Sequence, residues 1–405
     1  MVFALLAACS PSARTEKNST GATILHWYVG PDRVDTKALA KACSQGSNGD
    51  YELKVEQLPA DSDVRHNLLV RRLSAKDRSI DLIGLDDSFT AEFASAQLLA
   101  PIPDNLAPVY SQDIFPKALA AATFDGALVA APWWFDPQLL WFRGTVGERA
   151  GLDMTKAATW ENLISGAKRV GVGVEIDDAD GRGVPDWVSA LVSAAGGRVV
   201  DGPGRSSTVG LDTVAGTEAA GVVQFYHESS IGLGPSADAL TKFAGASGGF
   251  LLAPSSVVSD PALAAVAAEL QWAPYPVIDA SAASVAPLAG VALAVPLYAP
   301  NSDLSYQAIS CLTDQSSMRA LMTSAGHSSS RMTTYGLSAV AGSYPMAALT
   351  KQAIATGAAV PQTPYWQLVR AGLLDTWLPL DSVETSTTPA ASQKSVVARL
   401  AGELP

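Results

Sequence analysis

Cations are scarce in this chain and nowhere clustered. Its 405 residues hold 27 Lys and Arg against 39 Asp and Glu, charged residues make up 16%, and the formal net charge is −12. A nucleic-acid partner needs gathered Lys and Arg to replace phosphate counterions, so that class is excluded. Histidine is scarcer still, at His26, His66, His227 and His327 only. These four share no metal-ligating spacing, and neither Cys-x-x-Cys nor His-Glu-x-x-His occurs, so no metal and no other cofactor is expected. No run stays apolar long enough to span a bilayer, and no repeat of solenoid period is present.

Cysteine occurs three times, and each copy is informative. Cys9 ends Leu6-Ala7-Ala8-Cys9 after an apolar stub and precedes the polar stretch Ser10 to Gly21. Leu-Ala-Ala-Cys resembles the lipobox of bacterial lipoproteins, which implies a lipid-modified Cys9 followed by a polar tether. The stub is short for an export signal, so the expected start lies further upstream. An exported chain meets an oxidising exterior, where Cys43 and Cys311 either pair or remain two separate buried thiols. A pair would close most of the chain into one loop, with about 5 kcal/mol as the upper bound from chain entropy.

What is abundant is apolar, at 48% of residues, which describes a compact chain rather than a disordered one. The length exceeds what one core usually supports, so two domains are expected. Thr23–Val29, Tyr51–Leu58 and Ile80–Leu85 read as strands, separated by helical patterns at Thr36–Cys43 and Val64–Leu73. This β-α-β-α-β order implies an α/β fold with a mostly parallel sheet whose ligands gather at the C-terminal strand ends. Those ends carry His26-Trp27-Tyr28, Gln57 and Asp86-Asp87. One of the two acids suffices to cap the helix Phe89–Ala96, which leaves the other, Asp86, facing inward.

The later chain keeps the rhythm. Helices are expected from Thr159, across Trp187–Ala195, Thr217–Glu228, Ser302–Leu312 and Ser316–Ala325, with strands at Gly249–Ala253 and Val291–Val295. Gly171–Gly183 and Asp201–Gly210 read as loops. Gly245-Ala246-Ser247-Gly248-Gly249 has the spacing of a hydrolase nucleophile elbow, but a helical stretch precedes it and a strand follows, the reverse of the elbow's order. Asp178-Ala179-Asp180-Gly181 lacks the ligand set of a calcium loop and reads as a solvated turn.

Between the two halves lies Ala130-Ala131-Pro132-Trp133-Trp134-Phe135-Asp136-Pro137, running into Gln138–Phe142. Two prolines exclude a helix interior, so the segment reads as a crossing between layers. Trp133, Trp134 and Asp136 would stand at its mouth, offering flat rings and a carboxylate to a ligand. The alternative is a buried aromatic joint.

Several pieces together resemble the extracellular carbohydrate-binding proteins of bacterial ABC importers, and most closely the trehalose-binding lipoproteins of actinobacteria (the LpqY type). The pieces are Arg71-Arg72-Leu73, Leu85-Asp86 with Thr90-Ala91-Glu92-Phe93, Gln138-Leu139-Leu140-Trp141-Phe142-Arg143, Ser193-Ala194-Ala195-Gly196-Gly197, Cys311-Leu312 and Tyr344-Pro345-Met346. The resemblance implies a two-lobed periplasmic-binding-protein-like fold. Its expected lobes are 22–131 with 289–338 and 132–288 with 339–405, after a signal remnant and tether at 1–21. It further implies sugar contacts at Asp86, Asp136, Trp187, Ala289 and Gly290. Gln57 and Gln362 complete the candidate set, the latter where those relatives carry an arginine ahead of Thr-Pro. Ser236 and Ala253-Pro254 replace the Glu and the Asn-Trp pair of the trehalose type.

The function so implied is non-enzymatic: a lipid-anchored monomer on the outer face of the membrane that captures a small carbohydrate, trehalose or a maltose-like disaccharide, for a membrane permease. A cell-surface hydrolase, or a sensor or scaffold with a degenerate cleft, are the alternatives.

Overall fold

The structure, a computed structural model, describes residues 16–202 and 204–404. The stub before Cys9, and Cys9 itself, lie outside the described residues. Strands β1 (Thr23–Val29), β2 (Tyr51–Gln57) and β3 (Leu82–Asp86) alternate with helices α1 (Thr36–Gly46) and α2 (Ser62–Ser74). β1 pairs in parallel with β2 on one side and with β3 on the other. Both helices begin under an aspartate, Asp35 and Asp61, whose side chains accept the backbone N–H of Ala38 and Val64. Such caps satisfy donors that a helix start leaves open.

The second half repeats the alternation. Helix α3 (Asp87–Ser95) leads to the long strand β4 (Ala131–Arg143), then to α4 (Trp160–Val170), β5 (Gly173–Asp177), α5 (Gly183–Ala194) and α6 (Val214–Glu228). Strands β6 (Pro235–Ser236), β7 (Gly248–Pro254), β8 (Leu270–Ala273) and β9 (Leu288–Ala294) follow. Helices α7 (Ser302–Leu312), α8 (Gln315–Ala325), α9 (Trp366–Trp377) and α10 (Thr388–Ala401) complete the principal elements.

β1 to β9 join one sheet, ordered β6-β5-β7-β4-β9-β3-β1-β2, with β8 on β4 beside that path, and two short strand pairs lie outside it. The outer pairs are parallel, as the alternation predicts, but β9 runs antiparallel to both β3 and β4, and β7 antiparallel to β4. β4 explains the mixture. Its first half pairs with β9, its second half with β7 and β8, so one strand serves both lobes. The prolines Pro132 and Pro137 are accommodated at a register shift and at the handover between partners, positions where a missing N–H costs least.

Two apolar cores flank this crossing. One gathers Trp27, Leu53, Trp133, Leu293 and Ile309; the other gathers Trp160, Trp187, Tyr226, Leu252 and Trp377. A third cluster, with Phe135, Leu139, Trp141, Tyr335 and Tyr344, lies along β4 between them. Cys43 on α1 and Cys311 on α7 form a disulfide with Cα atoms 5.8 Å apart and 268 positions apart in sequence. It staples an early helix to a late one on the β1–β3 side.

Two segments expected as loops contain strands. Gly171–Gly183 contains β5, whose Val174 and Ile176 are buried against the sheet. Its alternate acids, Glu175 and Asp177, give the run a polar look although they too are buried. Asp201–Gly210 holds a short antiparallel pair between Val200–Asp201 and Thr208–Val209.

Candidate ligand-binding cleft

Side chains alternate between faces along a strand, and β4 uses that alternation to build a cleft floor. Trp134, Asp136 and Gln138 line a cavity of about 420 Å³, while Phe135, Leu139 and Trp141 enter the cluster behind. Opposite them on β9, Ala289 and Gly290 also line the cavity. A Cβ on Gly290 would come within 2.2 Å of the Phe135 ring, so the floor closes tightly only around a glycine.

Asp136 is 2% exposed and fully engaged from within the protein. It accepts from Ser328 N at 2.6 Å and from Ser255 Oγ at 3.3 Å, and its Oδ2 lies 2.7 Å from His327 Nδ1. The partners arrive because α8 ends at Gly326 with φ +71°, a left-handed stop where a side chain would also strike Val258. The chain turns there and 327–330 runs beside β4, exchanging Phe135 N to Ser328 O at 2.9 Å and Ser330 N to Trp133 O at 3.2 Å. The imidazole of His327 then lies against the Trp134 ring.

On the opposite wall, Asp86 and Asp87 overturn the reading of one cap and one free acid. Asp86 holds the N-cap position of α3 but makes no capping bond. It accepts instead from Arg65 Nη2 at 2.6 Å and Nε at 3.1 Å. Asp87 forms an ion pair with Arg182 at 2.9 Å. That contact has the distance but not the alignment of a hydrogen bond, since both carboxylate oxygens of Asp87 lack a hydrogen-bonded partner. Arg182 also reaches Asp186 at 3.1 Å. Both acids thus face inward, and neither is free.

The remaining predicted residues fall elsewhere. Trp133 is fully buried, with its ring 5.5 Å from that of Trp27 in the lobe core. The alternation that admits Trp134 to the cleft turns its neighbour away, so the two indoles do not share a platform. Trp187 packs against Trp160 and Tyr226 in the other core. Gln57 is exposed at the end of β2 and donates to Val29 O. Gln362 donates to Val360 O at 3.1 Å and reaches Asp87 O at 3.5 Å, behind the cavity wall. None of these four lines the cavity.

Most of the charge in the cleft comes from residues that no local sequence pattern marks. Asp32, Arg33, Arg65, Asp177, Asp180, Arg182, Asp186, Asp260 and His327 all line it. The turn 178–181 is partly exposed but also tied across the cleft: Asp180 O accepts Ser62 N at 2.9 Å, and Gly181 O accepts Arg370 Nη2 at 2.6 Å. Arg370 also grips Asp63 at 2.6 and 2.7 Å, and Arg33 binds Asp260 at 2.9 Å, so ion pairs bridge the rims of the cleft. Burial pushes the carboxyls of Asp32 and Asp177 up to about 6. It raises Asp186 to about 7 against the pull of Arg182.

Six buried polar atoms on the lining residues have no protein partner: Asp32 Oδ2, Trp134 Nε1, Gln138 Oε1, Asp177 Oδ1, Arg182 Nη2 and His327 Nε2. Buried groups of this kind are costly unless something bonds them. Asp136 and His327 are hydrogen-bonded as in a triad, but no hydroxyl bonds His327 Nε2 among the described residues. Ser255 bonds Asp136 and Ser328, and Ser256 is held by Arg33. The elbow-like 245–249 runs from helix 239–244 into β7, as its order implied. No group of His, Cys, Asp and Glu able to hold a metal ion is found among the described residues, and no described helix is long and apolar enough to cross a membrane.

Solved structures share this architecture. MalE3 of T. maritima with bound maltose superposes with a TM-score of 0.80 at 19% identity, over 94% of this chain and 100% of that one. The GacH receptor of Streptomyces glaucescens, solved free and with acarbose, gives 0.78 at 18% over 94% and 99%. UgpB from Mycobacterium tuberculosis with glycerophosphocholine gives 0.78 at 17% over 95% and 100%. At such identities the likeness carries the two-lobed fold. The sequence family described as bacterial extracellular solute-binding protein matches residues 32–318, a span that holds β4, β9 and nearly all of the cleft, and this chain belongs to that family.

Proposed function

We propose that the protein captures a small carbohydrate between its two lobes and hands it to the permease of an ABC importer. The carrying observation is the set of six buried, unpartnered polar atoms around one cavity that the Trp134 indole also lines. A pyranose offers an apolar C–H face for an indole and a rim of hydroxyls for such donors and acceptors. The volume of about 420 Å³ suits one or two sugar rings. The related structures with bound maltose and acarbose support a saccharide, and trehalose or a maltose-like disaccharide is the first choice. In this reading the lobes are 22–131 with 289–338 and 132–288 with 339–405, and the chain works as a monomer outside the cytoplasm, anchored through Cys9.

A thermal-shift screen over mono- and disaccharides, followed by calorimetry on the hits, tests the reading. At least one saccharide raises the melting temperature by several degrees and binds with one-to-one stoichiometry. A flat response to every saccharide, with a response to another solute class, defeats it.

A further inference from the structure

The cavity carries more negative charge than its own cations neutralise. Seven aspartates and three arginines line it. Each arginine is already matched: Arg65 by Asp86, Arg33 by Asp260, and Arg182 by Asp186 and Asp87. His327 is bound to Asp136. Asp32, Asp177 and Asp180 are left with no basic side chain within ion-pairing distance.

Two of these three differ from ordinary surface acids. Asp177 is 7% exposed, and its Oδ1 is shut off from solvent without a partner. Asp32 Oδ2 is in the same state. They come from opposite walls, Asp32 from the turn after β1 and Asp177 from the end of β5. A neutral sugar hydroxyl would give such an oxygen one hydrogen bond but leave its charge uncompensated. A protonated amine gives both the bond and the countercharge.

Resting on the saccharide reading above, we propose that the cleft selects a sugar bearing a protonated amine, held at Asp177 and Asp32. The groups facing these acids are consistent with that role. Asp32 feels His327, Asp86, Arg65 and Asp136, while Asp177 feels Arg33, Asp180 and Asp178. Around each, acids offset the nearest cation, and burial holds the carboxyl near the neutral range until a cation arrives.

Calorimetry at neutral pH with matched pairs tests this: glucosamine against glucose, galactosamine against galactose, and trehalosamine against trehalose. In at least one pair the amino sugar binds about tenfold tighter or more. That ratio falls toward unity in Asp177→Asn or Asp32→Asn and vanishes in the double variant, with melting curves verifying that each is folded. Because the carboxylates must be ionised, the ratio also shrinks as pH drops below about 6. Neutral sugars binding as tightly as their amino partners, or a ratio unmoved by both substitutions, overturns the proposal and leaves the saccharide reading intact. Binding by no sugar of either kind overturns the saccharide reading, and the proposal with it.

Discussion

Trp134 and His327 lie face to tilted face, their ring centroids 4.5 Å apart at 33°. The imidazole is itself pinned by Asp136 at 2.7 Å, so the indole on the cleft wall is braced before any ligand arrives. Bracing of this kind lowers the entropy lost on binding. Trp134→Ala is therefore expected to weaken saccharide binding by about 1 to 2 kcal/mol. Trp133→Ala should instead destabilise the fold by about 3 to 5 kcal/mol, the cost of emptying a core aromatic site. Paired melting curves and binding isotherms on the two variants check the division of labour.

Asp86 behaves differently from an unpaired cleft acid. Asp86→Ala would strand Arg65, which is 6% exposed, and breaking such a buried pair costs about 3 kcal/mol or more of stability. Asp86→Asn keeps one acceptor and should cost less. If denaturant titration finds Asp86→Ala as stable as the parent, the pair with Arg65 is not formed in solution.

Asp177 gives the protein a pH signature. A carboxyl with a raised folded-state pKa binds its proton more tightly folded than unfolded. Its contribution favours the fold below about pH 4 and is lost as pH rises through about 6. A shift of this size corresponds to about 2 to 3 kcal/mol. Asp177→Asn should then raise the melting temperature at pH 7.5 and change it little at pH 3.5. Equal effects at both pH values would mean that the ionised carboxylate is not strained.

Reducing the bond between Cys43 and Cys311 should lower stability by about 2 to 4 kcal/mol. Melting with and without a thiol reductant measures it, and Cys311→Ser should abolish the difference between the two curves.

The ion pairs Arg33–Asp260 and Asp63–Arg370 bridge the cleft rims. Partly exposed pairs are screened by salt. Small-angle scattering on the empty protein should show the radius of gyration growing with ionic strength, and Arg33→Ala with Arg370→Ala should show the larger radius at low salt.

The fold was legible where periodicity speaks. Thr23–Val29 and Ser302–Leu312 appear at their expected bounds, and the thiol pair appears where an exported chain would place it. The cleft was legible only in part, because its chemistry is assembled from tertiary pairings. Nothing local marks His327, which matters because a left-handed Gly326 turns it toward β4. Arg65 and Arg182 sit on or beside ordinary helices and gain meaning only opposite Asp86 and Asp87. Strand alternation could have separated Trp133 from Trp134, since consecutive strand residues face opposite ways.

The shared strand also dictates the order in which the molecule can be made. β3 lacks one neighbour, and β4 half of its pairing, until Leu288–Ala294 has emerged. A chain threaded from its N-terminus thus carries the apolar Leu82-Ile83-Gly84-Leu85 with an open edge through some two hundred residues of synthesis. Neither lobe can complete its share of the sheet before β9 has emerged. Export of this protein therefore favours a chain held unfolded until translocation is nearly complete, and truncation before β9 should leave an aggregating fragment rather than a soluble lobe.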